Sequence, residues 1–230
     1  MRFNQWSKLQ VHVILRWLKD LFGHDKFCKR RTSIDTPYSI EVSQPFTASS
    51  TLEQKKHNLR VAGKRIRRYV VLPGEVFSFW RCVGNPNTRQ FALSRSIRGG
   101  VLQIERGGGL CQSSGIIHHL SLIAGLEIVE RYNHSKDLYT EETRFCPLGS
   151  DATVAYGYRD LRVRNTTSCP VMFDLQVYDN HFTGYLRSDR ELAARDLEFE
   201  RIDSTDGILK ARVTDKITGE LISESEYVKL

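Results

Sequence analysis

The sequence predicts an α+β fold: a helix that carries a cysteine at its N-terminus, packed on a mainly antiparallel sheet and followed by a C-terminal β-meander. Three observations predict it. Apolar residues recur at helical spacing over 3–22, 50–69 and 112–125. Beyond Gly125, short alternating runs separated by Asn-, Thr- and Gly-containing turns read as antiparallel strands. Finally, Gly107-Gly108-Gly109 directly precedes Leu110-Cys111, and because glycine costs about 1 kcal/mol in a helix interior relative to alanine, the third helix starts only after the triplet.

The chain of 230 residues is long enough to bury a core without disulfide staples. We divide it into an amphipathic helix with a basic linker (1–40), a central domain (41–187) and a meander extension (188–230). Hydrophobic and charged contents of 40% and 27% are those of a globular protein. The net charge of +7 suits a polyanionic partner without selecting one. No RNP motif, zinc finger or aromatic-interleaved basic helix is present, which speaks against nucleic acid as that partner. Five cysteines, an odd number with no CxxC pair, argue against a disulfide framework and a zinc ribbon. A reducing compartment is the simpler reading. No secretory signal and no run near the roughly 18 apolar residues of a membrane span is seen, so the expected location is the cytoplasm or a membrane periphery.

Phe3, Trp6, Leu9, Val13, Trp17 and Leu21 form the first helical stripe. It packs on its own domain or, with Lys26, Lys29, Arg30 and Arg31 nearby, lays residues 3–22 on an anionic membrane. Ser39 to Val42 reads as a short strand. Ser50-Thr51-Leu52-Glu53 fits a capping box opening a helix that runs through Leu59, Ala62, Ile66 and Tyr69. Pro73-Gly74 turns the chain into a strand over Val76, Phe77, Phe79 and Trp80, and Gly84 to Ser96 reads as a surface loop. Gly99-Gly100 leads into a short apolar piece, Val101 to Ile104. The Cys111 helix follows, then a strand from Leu126 to Arg131 that delivers His134. A polar loop leads to Asp151 at the start of the next strand. Strands around 161–165, 171–178 and 182–186 follow, and 197–202, 208–213 and 220–228 form the meander, with a turn at 204–207.

The chemistry-bearing pattern is one thiol, one imidazole and one carboxylate in order: Cys111, His134, Asp151. A cysteine in a first helical turn meets free N–H groups and the positive end of the helix dipole, which favours the thiolate. A nucleophile needs a base, and the base needs an orienting group. Papain-like and transglutaminase-like folds keep this order on a helix followed by strands. Gly108 and Gly109 bring backbone close to a substrate, and Gln112 and Ser113 offer hydrogen bonds to an oxyanion. His118 lies two turns along the helix and is a secondary candidate, as are the acid Asp160 and the turn residue Glu75. A metal set of Cys111, His118 and His134 lacks the close-spaced pairs of known sites, so we assign no metal and no cofactor.

Leu72-Pro73-Gly74-Glu75-Val76-Phe77-Ser78-Phe79-Trp80, Gly107-Gly108-Gly109-Leu110-Cys111-Gln112-Ser113, His134 and the run Asp151 to Leu161 together resemble the VanW family. The resemblance runs from about Val42 to Leu186, and Val213 to Leu221 also looks like the tail of VanW-like proteins. The family is named for an accessory protein of vancomycin-resistance clusters, and some of its members are described as L,D-transpeptidases that cross-link peptidoglycan through a cysteine. The resemblance therefore implies a peptidoglycan stem peptide or precursor as partner, with Cys111 at the nucleophile position. It also implies action outside the membrane if the wall itself is the substrate. A non-catalytic module binding a peptide or peptidoglycan precursor in the same cleft is the alternative.

Overall fold

The computed structural model of the chain describes residues 3–31, 35–98, 101–137, 146–203 and 207–229. The glycine pair 99–100, much of the polar loop (138–145) and the meander turn at 204–206 lie outside the described residues. In chain order the elements are α1 (Phe3–Phe22), β1 (Lys29–Arg30), β2 (Tyr38–Pro45), α2 (Leu52–Ile66), β3 (Tyr69–Val70), β4 (Val76–Ser78), α3 (Phe79–Val83), β5 (Leu93–Arg98), β6 (Val101–Arg106) and α4 (Leu110–Ile123). They continue with β7 (Glu127–Glu130), β8 (Arg162–Arg164), β9 (Val171–Val177), β10 (His181–Ser188), β11 (Leu197–Asp203), β12 (Ile208–Asp215) and β13 (Leu221–Val228).

The fold is α+β with antiparallel sheets: β2-β10-β9, β4-β8-β7, the meander β11-β12-β13, and the pairs β5-β6 and β1-β3. Helix α4 lies across β10 and β2, with α2 beside it against β9. Every α4 residue from Gln112 to His118 is buried, so this helix is apolar or small nearly all round, as a central helix must be. Ile116 and Leu120 come so close to β10 that a Cβ on Gly184 would stand 2.4 Å from Ile116 Cγ2. Phe77 and Phe173 meet edge-on at 5.0 Å and join the β4 and β9 sheets in one core.

Four sequence expectations are corrected. The strand over Val76 to Trp80 stops at Ser78, whose hydroxyl caps α3 by accepting from the Arg81 N–H; the apolar run continues because α3 is buried too. The capping box does not form. Thr51 rather than Ser50 precedes α2; its hydroxyl accepts from the Arg95 N–H at 3.2 Å, and Glu53 pairs with Lys56 at 2.8 Å. The supposed loop to Ser96 contains the start of β5, which pairs along its length with β6. Asp151 lies in an irregular segment, not a strand, its neighbourhood closed by a single bridge between Ala155 and Arg159.

Candidate active site

The glycine triplet shapes the approach to α4. Gly107 and Gly109 have φ of 75° and 94°, the left-handed region that glycine enters without strain. Gly108 is there for a close approach: a Cβ on it would lie 2.3 Å from the Ser94 carbonyl oxygen and 2.7 Å from that of Arg95. Its own carbonyl accepts from Asn58 Nδ2 at 3.0 Å. The clash is with backbone, so Gly108→Ala should destabilise the fold by about 3 kcal/mol, read as a lowered urea midpoint.

With the chain turned in this way, Cys111 is the second residue of α4 and half-buried. The segment carrying Asp151 is tied to the same helix by Ser114 Oγ, which donates to the Ala152 carbonyl at 2.6 Å. It is tied to the His134 segment by the Thr153 N–H, which donates to the Tyr132 carbonyl at 2.6 Å. The three predicted residues therefore converge. Asp151 Oδ2 accepts from the His134 backbone N–H at 2.8 Å and meets His134 Nδ1 at 2.7 Å. That leaves Nε2 for the thiol, and Cys111 and His134 are hydrogen-bonded. Cys111 Sγ also lies 3.8 Å from the Val154 carbonyl.

The electrostatics follow from this chain of contacts. Burial pushes the Cys111 thiol up, but the hydrogen bond and charge of His134, with the Val154 contact, outweigh it and leave the thiol below its ordinary value. Burial would lower His134; the hydrogen bonds to Asp151 and Cys111 overcome it and raise the imidazole to about 10. Against its own burial penalty, Asp151 is held well below the carboxylate range by His134, Arg131 and Tyr227. A lowered thiol beside a raised imidazole is the electrostatic setting in which a cysteine gives up its proton more readily.

Two supports of Asp151 are absent from the sequence reading. Arg131 donates to Asp151 Oδ1 at 3.1 Å and to its carbonyl at 2.9 Å, and Tyr227 of β13 donates its hydroxyl to Oδ1 at 2.5 Å. Arg131 ends the strand-like run that leads to His134, and a charge at that point was its signal. Tyr227 lies 76 residues from Asp151 and gave none. Lys55 is a third omission. Its methylenes cover Gly109, and burial, aided by the Arg95 charge and opposed by Cys111, brings its ammonium down to about 8.

The remaining candidates lie elsewhere or point away. Gln112 and Ser113 are 5% and 0% exposed, and their side-chain polar atoms are sealed without a hydrogen-bond partner. They present no accessible donor, which leaves the first-turn backbone N–H groups as the candidates for that role. Two orphaned polar side chains directly after the cysteine cost stability, which is expected where function sets the sequence. His118 is buried and bonded to the Ser150 carbonyl at 2.9 Å; burial brings it down to about 3, so it is a neutral packing residue behind Asp151. Asp160 takes the Ser78 hydroxyl at 2.6 Å, the Trp80 N–H at 3.1 Å and Arg162 at 3.3 Å, and so anchors α3. Glu75 is clamped by Arg31 at 2.8 and 2.9 Å and staples the turn before β4. Among the described residues, no group of three or more His, Cys, Asp or Glu is placed to hold a metal.

The chain is 31% identical over 140 residues to the Vancomycin B-type resistance protein VanW of Enterococcus faecalis, an alignment covering 60% of this chain and 51% of that protein. It is 34% identical over 131 residues to the Uncharacterized protein YoaR of Bacillus subtilis, covering 56% of this chain and 42% of that one. The aligned segment thus spans about half the length of these relatives. No solved structure matches the chain. The family described as VanW like protein matches residues 54–187, more than half of the sequence and the stretch that holds Cys111, His134 and Asp151. On that match the chain belongs to the VanW family.

Proposed function

We propose that this chain is a cysteine-dependent acyl transferase of bacterial cell-wall metabolism that acts on a peptidoglycan stem peptide or its precursor. Through that chemistry it would share in vancomycin resistance, as the name of its Enterococcus relative indicates for that protein. The observation that supports the reading is the convergence of Cys111, His134 and Asp151, with His134 Nδ1 at 2.7 Å from Asp151 Oδ2, the thiol lowered and the imidazole raised. In the proposed reaction the Cys111 thiolate attacks the carbonyl carbon of an L-to-D peptide bond, and the oxyanion rests on first-turn N–H groups. The C–N bond breaks as the His134 imidazolium gives its proton to the departing amine of the D-residue, leaving a thioester on Cys111. Neutral His134 then takes a proton from the amine of a second stem. That amine attacks the thioester, forms the new amide and expels the thiolate. Asp151 keeps Nδ1 protonated throughout and so presents Nε2 to each partner.

Mass spectrometry after incubation with a tetrapeptide stem tests this. Cys111 is expected to gain the mass of the stem less its terminal D-residue, and Cys111→Ala to gain none. Undiminished turnover of the stem by Cys111→Ala overturns the proposal. Stem binding without an adduct, together with an iodoacetamide labelling midpoint at the free-thiol value, also overturns it, in favour of a binding module.

A further inference from the structure

Helix α1 packs on the domain through Leu9, Val13, Arg16 and Asp20. Arg16 forks onto the Glu130 carboxylate at 2.7 and 2.9 Å. Asp20 receives Arg162 at 2.7 Å and Arg81 at 2.9 Å, and is itself nearly buried. Leu9 and Val13 fill the space over Gly157, where a Cβ would stand 2.7 Å from Leu9 Cδ1. These contacts fix the rotation of the helix about its axis, because each charged group would lose its partner if the helix rolled.

The fixed rotation splits the expected stripe, with Leu9 and Val13 packed inward, and leaves another apolar arc facing outward. Val11, Ile14, Leu15, Leu18, Leu21 and Phe22 are exposed, from 36% for Leu18 to 79% for Phe22. Their spacing puts them on one arc of roughly a third of a turn. Lys8 and Lys19, both exposed, are eleven residues apart, so they share one border of that arc. A contiguous apolar arc held away from the core is the kind of surface that marks an interaction site. No helix among the described residues is long and apolar enough to cross a membrane.

We propose that the outer face of α1 docks this chain onto an anionic lipid bilayer, lying in the headgroup plane with Leu15, Leu18 and Phe22 inserted and Lys8 and Lys19 on the lipid phosphates. Charge selects this occupant. A chain of net charge +7 is drawn to an anionic surface and repelled by a second copy of itself. A lysine-bordered apolar arc is also the pattern of helices that lie in a bilayer interface. The 155–159 turn under α1 continues from Val154, whose carbonyl faces the Cys111 sulfur. Docking through α1 would therefore fix how the candidate site is oriented relative to the membrane.

Vesicle flotation of the full chain tests the assignment, using phosphatidylcholine vesicles with and without phosphatidylglycerol. The chain is expected to float with the anionic vesicles and to be released by salt. Leu15→Glu/Leu18→Glu should weaken binding by roughly tenfold or more per leucine. Lys8→Glu/Lys19→Glu should weaken it by roughly fivefold per lysine and erase the preference for anionic lipid. Both variants replace exposed side chains, and an unchanged melting temperature and Cys111 labelling rate confirm that each is folded. Absence of flotation, or flotation unaffected by Leu15→Glu/Leu18→Glu, overturns the proposal. So does a wild-type dimer in sedimentation that the leucine variant dissociates, which would give the face to a second copy.

Discussion

Asp151→Asn is expected to lower turnover of a stem peptide by about three to four orders of magnitude. Four donors converge on this carboxylate: the His134 N–H, His134 Nδ1, Arg131 and the Tyr227 hydroxyl. An amide has one oxygen for them and turns its NH2 toward the others, so His134 loses either its tautomer or its orientation. The raised imidazole falls from about 10 toward its ordinary 6.5, and the thiol it pairs with rises. The stability consequence has a definite sign. His134 is raised on folding, so its contribution is complete below about 6.5 and lost as pH rises through about 10; Asp151→Asn should flatten that alkaline limb. Steady-state kinetics and urea midpoints between pH 6 and 10 check both parts. Turnover within tenfold of wild type would remove Asp151 from the relay.

Arg131→Ala is expected to cost about 3 kcal/mol of stability, a fall in melting temperature of roughly 6–12 °C for a chain of this size. The side chains of Arg131 and Asp151 are only 11% and 15% exposed, so the pair is too dry to be treated as a surface salt bridge. The guanidinium also donates to the Gly149 carbonyl at 3.2 Å and to Ser225 Oγ at 2.5 Å, which would be left without it. Arg131→Lys keeps the charge but not the fork, and should recover less than half of the loss. Differential scanning calorimetry reads the difference. A fall under 2 °C for Arg131→Ala would show that the site holds its shape without the arginine.

The parts of this structure legible in the sequence are those where one local rule acts alone. The triplet before Leu110 can only precede a helix, so the place of Cys111 in its first turn could be read directly. His134 and Asp151 could be named because few other imidazoles and acids follow the cysteine at turn-like positions. Competing rules hid the rest. Phe79 and Trp80 continue the apolar run of β4, yet Ser78 can cap and Asp160 supplies a second acceptor, so the chain turns into α3. Ser50 and Glu53 have capping-box spacing, but tertiary contacts of Thr51 with β5 and of Glu53 with Lys56 take precedence. Gln112 and Ser113 looked like oxyanion donors because position in the chain does not reveal which side of a buried helix a residue faces. The α1 helix was legible, but its expected stripe divides. Leu9 and Val13 face Gly157, while Leu21 joins Val11, Ile14, Leu15, Leu18 and Phe22 on the exposed arc. That rotation depends on Arg16 and Asp20 finding partners more than a hundred residues away.

Tyr227 lies forty residues past the end of the family match, yet it touches the carboxylate that orients His134. The meander therefore supplies one of the contacts that hold Asp151, and any coupling from it to the thiol would be reciprocal. A ligand or partner that shifts β13 would retune the nucleophile, and acylation of Cys111, which removes the thiolate, would change how firmly β13 is held. A chimera joining residues 54–187 to a different tail would keep all three relay residues and still lack this handle on their reactivity.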